Sequence, residues 1–175
     1  MGELKASLRV GRIDNADARR FLARHHRLGA GAAFRFALGV FWDGVLQGVL
    51  SFGQPGMPDS AKSLRLPAWQ VLELRKMVCT DVLPRNSESR ALAVAARLIR
   101  RDCPHVRALM TFCEADERAA AYKAAGWKAV QTTRYVARYR VDGRWYTFRD
   151  ANRYGLAKRA TEREYAEKTK LVLML

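Results

Sequence analysis

At 175 residues the chain is long enough for one domain with a substantial core and short for two, and 49% hydrophobic residues exclude a disordered polyelectrolyte. Lys and Arg number 32 against 17 Asp and Glu, a formal charge of +15 with a pI near 10.5, so the expected partner is a polyanion such as nucleic acid or an acidic cofactor. No run reaches the roughly 18 to 20 apolar residues of a membrane span. MGELKASLRVGR lacks the apolar core of a signal peptide, and Cys79, Cys103 and Cys113 show no CxxC spacing and read as reduced thiols in or near the core, so a cytosolic protein is expected.

In chain order, Leu8 to Ile13 reads as a short strand, and Asp14 or Asn15 caps a helix over ADARRFLARHH that ends at His25-His26 before the loop Leu28-Gly29-Ala30-Gly31. Phe34 to Phe41 and Val45 to Phe52 are apolar runs joined by Trp42-Asp43-Gly44, and an Asp-Gly pair between such runs predicts a hairpin. Gly53 to Pro67 carries three of the five prolines and reads as an exposed loop. Val71 to Val78 is the next strand, ended before Pro84, and a helix starting near Ser87 places Leu92, Ala95, Ala96 and Ile99 on one face. Cys103-Pro104 breaks the chain ahead of a strand from Val106 to Cys113, at whose end Glu114, Asp116 and Glu117 gather. ERAAAYKAAGW reads as a short helix stopped by Gly126. Thr132 to Val141 and Trp145 to Phe148 flank Asp142-Gly143, a second hairpin signal; Ala157 to Lys170 reads as a charged helix, and Leu171 to Leu175 as a last strand.

This order predicts a single α/β domain over residues 1–175, a mixed sheet with helices on both faces. No GxGxxG follows the first strand and there is no P-loop, which argues against both nucleotide folds. The strand, loop and helix N-terminus around Pro84 form instead a candidate phosphate cradle, since the first N–H groups of a helix and its positive dipole end attract anions, and Arg85 and Arg90 add full charges. The alternative is that Ser87 or Ser89 merely caps the helix. His25, His26 and His105 are the only histidines, and no metal centre is expected.

Several stretches together carry a resemblance: His25-His26 with its glycine-containing loop, Trp42-Asp43-Gly44 to Ser51-Phe52-Gly53, Glu73-Leu74-Arg75-Lys76-Met77, Arg85-Asn86-Ser87-Glu88-Ser89, Tyr122-Lys123-Ala124-Ala125-Gly126-Trp127 and Lys170-Leu171-Val172. The chain resembles the GNAT acyltransferase superfamily, and more narrowly the phage Mom family of DNA modification proteins, which modify the exocyclic amine of adenine. The resemblance implies a GNAT-like, mostly antiparallel central sheet flanked by helices, double-stranded DNA as partner, and acetyl-CoA or a related acyl donor. It implies that the donor lies along Met77, Val78 and Cys79 and against Arg85, Asn86, Ser87, Glu88, Ser89 and Arg90, although PRNSES has none of the glycines usual in that loop.

Tyr122 is then the expected proton source for a leaving thiolate, Glu114 or Asp116 the acceptor of the amine's proton, and His26 or His25 a residue that orients the base or shuttles a proton. Glu73 and Arg75 lie two apart on one strand and share a side, either as a structural salt bridge or as groups that bind donor or base. An enzyme acting on duplex adenine flips the nucleotide into a pocket. Phe34, Phe36, Trp42 and Trp69 are candidate stacking partners or core residues, and Arg24, Arg27, Arg134 and Arg138 candidate phosphate contacts. Competing readings are an acetyl-CoA-dependent acetyltransferase of a protein or small amine, and a non-catalytic DNA-binding protein.

Overall fold

Alternation of apolar side chains dominates the first half of the chain and builds the sheet. In the computed structural model, which describes residues 7–26, 29–31, 33–57, 59–114 and 119–175, the strands are β1 (Leu8–Ile13), β2 (Phe36–Trp42), β3 (Val45–Gly53), β4 (Val71–Cys79), β5 (Ala108–Glu114), β6 (Lys128–Val141), β7 (Arg144–Thr147) and β8 (Glu162–Met174). Their order in the sheet is β1-β2-β3-β4-β5-β8-β6-β7. The pairs β1/β2, β2/β3, β3/β4 and β6/β7 are antiparallel, and β4/β5 is parallel. The helices are α1 (Asn15–His25), α2 (Asp59–Lys62), α3 (Ser87–Asp102), α4 (Ala120–Ala124) and α5 (Phe148–Arg153). None among the described residues is long and apolar enough to cross a membrane. The fold is thus mixed α/β with a mostly antiparallel sheet, as the sequence predicts.

The chain divides into two compact units: Met1–Thr111 with Ala119–Lys128 and Val172–Leu175, and Phe112–Arg118 with Ala129–Leu171. In the first unit both predicted features of the β2–β3 hairpin appear. Asp43 and Gly44 both take positive φ, 49° and 80°, the backbone of a tight hairpin turn matched to strand twist. α1 buries Ala18 and Leu22 against Ala37 and Val49. Leu38 and Leu50, which alternate to the opposite side of their strands, are equally buried, and α3, packed near β1, buries Ala91, Leu92, Ala95, Ala96 and Ile99. The stretch expected as an exposed loop, Gly53 to Pro67, is more ordered than that: α2 tucks Ala61 onto Val71, Ala108, Met110 and Val172, with Leu64 and Leu66 beside it.

The second unit holds the largest departure from expectation. Ala157 to Lys170 is not a charged helix; residues 156–159 make a 3-10 turn and Glu162 onward is strand β8, continuous with the expected last strand. Glu, Arg, Ala and Lys favour helix, but their charges here match at a spacing of two. Arg140 Nη1 reaches Glu162 Oε1 at 2.8 Å and Arg138 Nη1 reaches Glu164 Oε2 at 3.7 Å. The Arg134 guanidinium lies over Tyr165 and the Lys168 ammonium over Tyr135, 4.3 and 4.1 Å from the ring centres. Pairing with β6 therefore overrides local propensity. The helix of this region is the shorter α5, whose N-terminus is capped by Thr147 accepting from the Asp150 N–H at 3.2 Å.

Candidate active site

β4 is the strand on which the site is built. One edge is laddered to β3 from Glu73↔Gly53 to Cys79↔Gly48, with a bulge between Ser51 and Phe52 that re-aims Arg75. The other edge pairs with β5 for three residues only, Val71↔Ala108, Leu72↔Leu109 and Glu73↔Met110. Past this ladder the Thr111 hydroxyl still donates to the Leu74 carbonyl at 2.9 Å. From Arg75 to Cys79, half-buried throughout, β4 has no ladder to β5 among the described residues. An extended ligand with amide groups can complete such an edge as an added strand would.

β4 runs on through a loop to the N-terminus of α3. The loop is fixed by Thr80 N donating to Gln47 O at 2.8 Å, Leu83 N to Thr80 O at 3.2 Å and Ser87 N to Pro84 O at 3.1 Å. The cap position is Asn86, held in the left-handed region at φ 67°, and its side chain makes no capping bond. The expectation that Ser87 or Ser89 caps the helix is thus corrected. The Ser89 hydroxyl donates backward to Asn86 O at 3.0 Å, whereas the Ser87 hydroxyl is buried without a partner among the described residues. A 16-residue helix with no side-chain cap and a buried, unanswered hydroxyl in its first turn is suited to an anionic ligand. Arg85 and Arg90 are exposed on either side, and Glu88, also exposed, contributes an opposing charge. Burial, with a smaller contribution from Glu88, pushes the Cys79 thiol up to about 12, so Cys79 lines the site as a neutral, inert group. Gly48 makes this possible, because a Cβ there would stand 2.8 Å from Cys79 Sγ.

α4 packs against α3 and ends at Gly126, whose φ of 86° reverses the chain. The reversal brings Trp127 N onto Tyr122 O at 3.0 Å and sets the two rings edge to face, 5.6 Å apart at 73°. Trp127 is buried with its indole N–H unpartnered, and half-buried Tyr122 is oriented by that ring. The Tyr-x-x-x-Gly-aromatic spacing is therefore a device that fixes a phenol.

Glu73 and Arg75 do what the salt-bridge alternative describes. Their side chains lie 3.7 Å apart; Glu73 Oε2 accepts from Gly56 N and Arg75 Nη2 donates to Gln54 O, both at 2.7 Å. Together they clamp the chain that leaves β3. A Cβ on Gly56 would fall 2.7 Å from Arg75 Nη1, so glycine permits the approach. Beside this clamp the buried Ser51 hydroxyl donates to Lys76 O at 3.4 Å, and Lys76 Nζ donates to Gly29 O, joining β4 to the loop after α1. The resemblance includes Ser51 and Lys76 without implying a role for either. Lys170 was passed over likewise; it is almost fully buried, which lowers the pKa of its ammonium group.

The remaining expectations divide. Glu114 ends β5, half-buried, and His26 is the C-cap of α1, its N–H bonded to Leu22 O. Asp116 and Arg27 lie outside the described residues. Phe34 and Phe36 are core residues covered by Arg19 and Arg12, the core alternative of their reading; Trp42 is half-buried and Trp69 is 56% exposed. Arg24, Arg134 and Arg138 are exposed. No group of three or more His, Cys, Asp or Glu among the described residues could hold a metal ion.

The whole fold is similar to that of the GNAT acetyltransferases. The structure matches a GNAT-family acetyltransferase from Streptococcus pneumoniae with a TM-score of 0.59 at 11% identity, covering 97% of this chain and 99% of that one. It matches the polyamine N-acetyltransferase of Drosophila melanogaster at 0.62 and 13%, covering 97% and 100%, and a putative acetyltransferase from Salmonella typhimurium solved with acetyl-CoA at 0.58 and 16%, covering 96% and 94%. The protein has a GNAT-like fold. Within that fold it belongs to the Mom protein family, whose model matches residues 7–173. Over 115 residues it is 36% identical to the methylcarbamoylase mom of Escherichia phage Mu, a stretch that is 62% of this chain and 46% of that protein, so the match spans about half of that relative's length.

Proposed function

We propose that this protein is a transferase that adds a small acyl-derived, methylcarbamoyl-type group to the exocyclic amine of adenine in DNA. The observation that carries the reading is membership of the Mom family together with an uncapped helix N-terminus bearing a buried, unpartnered Ser87 beside the open edge of β4. A charge of +15 supports a polyanionic acceptor. A small-amine or protein acetyltransferase, the activity named for the structural neighbours, shares the fold and has no need of that charge.

The residues present fit a donor of the acyl-CoA class. Main-chain groups of Arg75 to Cys79 would hold its extended arm, and the first turn of α3 with Ser87, Arg85 and Arg90 its phosphates. Such a donor would supply an electrophilic carbonyl whose own substituent, a methylamino group for a methylcarbamoyl product, goes to the amine with it, and a thiol leaving group. The adenine amine is barely basic because its lone pair is delocalised into the ring, so its proton must be removed as the new C–N bond forms. Glu114 is the acceptor we assign to that proton. As the C–S bond breaks, Tyr122 gives its phenolic proton to the departing sulfur. Arg24, Arg134 and Arg138 are exposed guanidiniums suited to phosphodiester oxygens.

The test is mass spectrometry of nucleosides digested from plasmid DNA of cells expressing the protein, with Tyr122→Phe as the companion. A new adenosine-derived mass that disappears in the variant supports the reading, and the mass identifies the group. Unmodified DNA from cells with abundant folded protein, alongside acetylation of small amines in vitro, would replace it with the acetyltransferase reading.

A further inference from the structure

α3 rises about 24 Å over its 16 residues, at 1.5 Å each, so its last turn lies far from the donor cradle at its first. There a groove of about 440 Å³ opens between Arg100, Pro104, Val106, Arg107 and Leu175. Arg100 and Arg107 are exposed and make no ion pair or side-chain hydrogen bond among the described residues, whereas neighbouring Arg101 is held by Asp102 at 2.6 Å. Arg107 N donates to Gln70 O at 2.8 Å, which fixes the turn Ala68–Gln70 beside the groove. That turn presents Trp69, 56% exposed, stacked on His105 with ring centres 6.2 Å apart and planes at 27°. Two free guanidinium forks and a half-open aromatic stack recur at this one end of the first unit.

Guanidinium forks match phosphate oxygens two at a time, and an exposed indole face offers any nucleobase a stacking surface. We propose that this groove is a second nucleic-acid contact, separate from the donor cradle, in which Arg100 and Arg107 hold a backbone phosphate and the Trp69–His105 stack receives an unpaired base of the same strand. The proposal rests on the reading that DNA is the acceptor. It assigns to this end of the molecule the work of holding a strand that must be distorted for a base to reach the transferase site, since unstacking one nucleotide exposes its neighbours.

The experiment is fluorescence anisotropy of a labelled 20-base-pair duplex carrying one unpaired, bulged base, titrated with the full chain across a salt series. It compares wild type with Arg100→Gln/Arg107→Gln, with Trp69→Ala, and with Lys158→Gln/Arg159→Gln as a charge-matched pair from the second unit. Loss of each phosphate contact lowers the slope of log affinity against log salt by about 0.9. The groove pair is expected to lower it by about one while the control pair leaves the slope within error. Trp69→Ala is expected to weaken binding roughly five- to a hundredfold with the slope kept, as removal of a stacking platform does. Thermal melts and binding of acyl-CoA serve as checks that the variants are folded. A groove pair with the wild-type slope, or with no more effect than the control pair, overturns the proposal even if the protein modifies DNA. If Arg100 and Arg107 serve only the dipole at the helix end, melting falls and DNA affinity does not. A wild-type chain without salt-sensitive DNA binding overturns both this inference and the DNA reading beneath it.

Discussion

Cys79 shows how burial alone sets the chemistry of a residue in the site. Its thiol is pushed up to about 12 from an ordinary 9.0, first by burial and then by Glu88. The folded state thus keeps a proton that the unfolded chain releases at lower pH. The contribution to stability is fully present below pH 9 and is lost as pH rises toward 12. The difference in melting temperature between wild type and Cys79→Val is therefore expected to shift in favour of the variant across that window, and the native thiol should resist a disulfide reagent at pH 8 until the protein unfolds. Tyr122 is the proton source proposed above, and its ring is held edge to face against Trp127. Tyr122→Phe keeps the edge-to-face contact with Trp127, so on the proposed reading it is expected to cut turnover at least tenfold while the protein stays folded, read by single-turnover transfer beside a thermal scan.

Two elements owe their form to particular backbone and charge devices. α3 starts from Asn86 in the left-handed region, where Asn and Gly are tolerated and β-branched residues are strained. Asn86→Gly is expected to leave stability within a few tenths of a kcal/mol, and Asn86→Val to cost about 1–2 kcal/mol, both measured by urea unfolding. If valine is tolerated there, the left-handed start of the helix is wrong. In the second unit, β8 is specified by its match to β6. Reversing Glu162 and Glu164 to lysine sets like charges against Arg140 and Arg138, and each exposed pair is expected to cost about 0.2–1 kcal/mol. An equal loss for Glu167→Lys, a residue in neither pair, would show the effect to be general charge repulsion.

At the scale of the whole molecule the excess of 32 basic over 17 acidic residues governs encounter more than fold. Duplex binding should weaken by about 10³- to 10⁵-fold between 50 and 200 mM salt if six to ten phosphates are contacted, and a shallow slope of one or two would mean a far smaller footprint. Isothermal titration across that range reads the contact number directly. The same charge says nothing about the transferred group, which rests on the donor and on nucleoside mass.

The sequence by itself determined the elements with strong local signals. Asp43-Gly44 and Asp142-Gly143 announced both hairpins because a two-residue turn needs positive φ at both positions, and the structure has it at all four residues. The stripe of Leu92, Ala95, Ala96 and Ile99 announced α3, since 3.6-residue periodicity is a property of the chain alone. The Tyr-x-x-x-Gly-Trp spacing was legible too, because Gly126 is required at a φ of 86°. Tertiary structure decided the rest. Glu162 to Lys170 has helical composition, and only the charges and rings of β6 at a two-residue spacing make it a strand. Ser87 looked like a cap until Asn86 took that place and left the hydroxyl buried. Glu73 and Arg75 read equally as a salt bridge or as ligand-binding groups, and only the chain after β3 folding back onto them shows the clamp they form. Each of these depends on a partner distant in sequence, which no local pattern encodes.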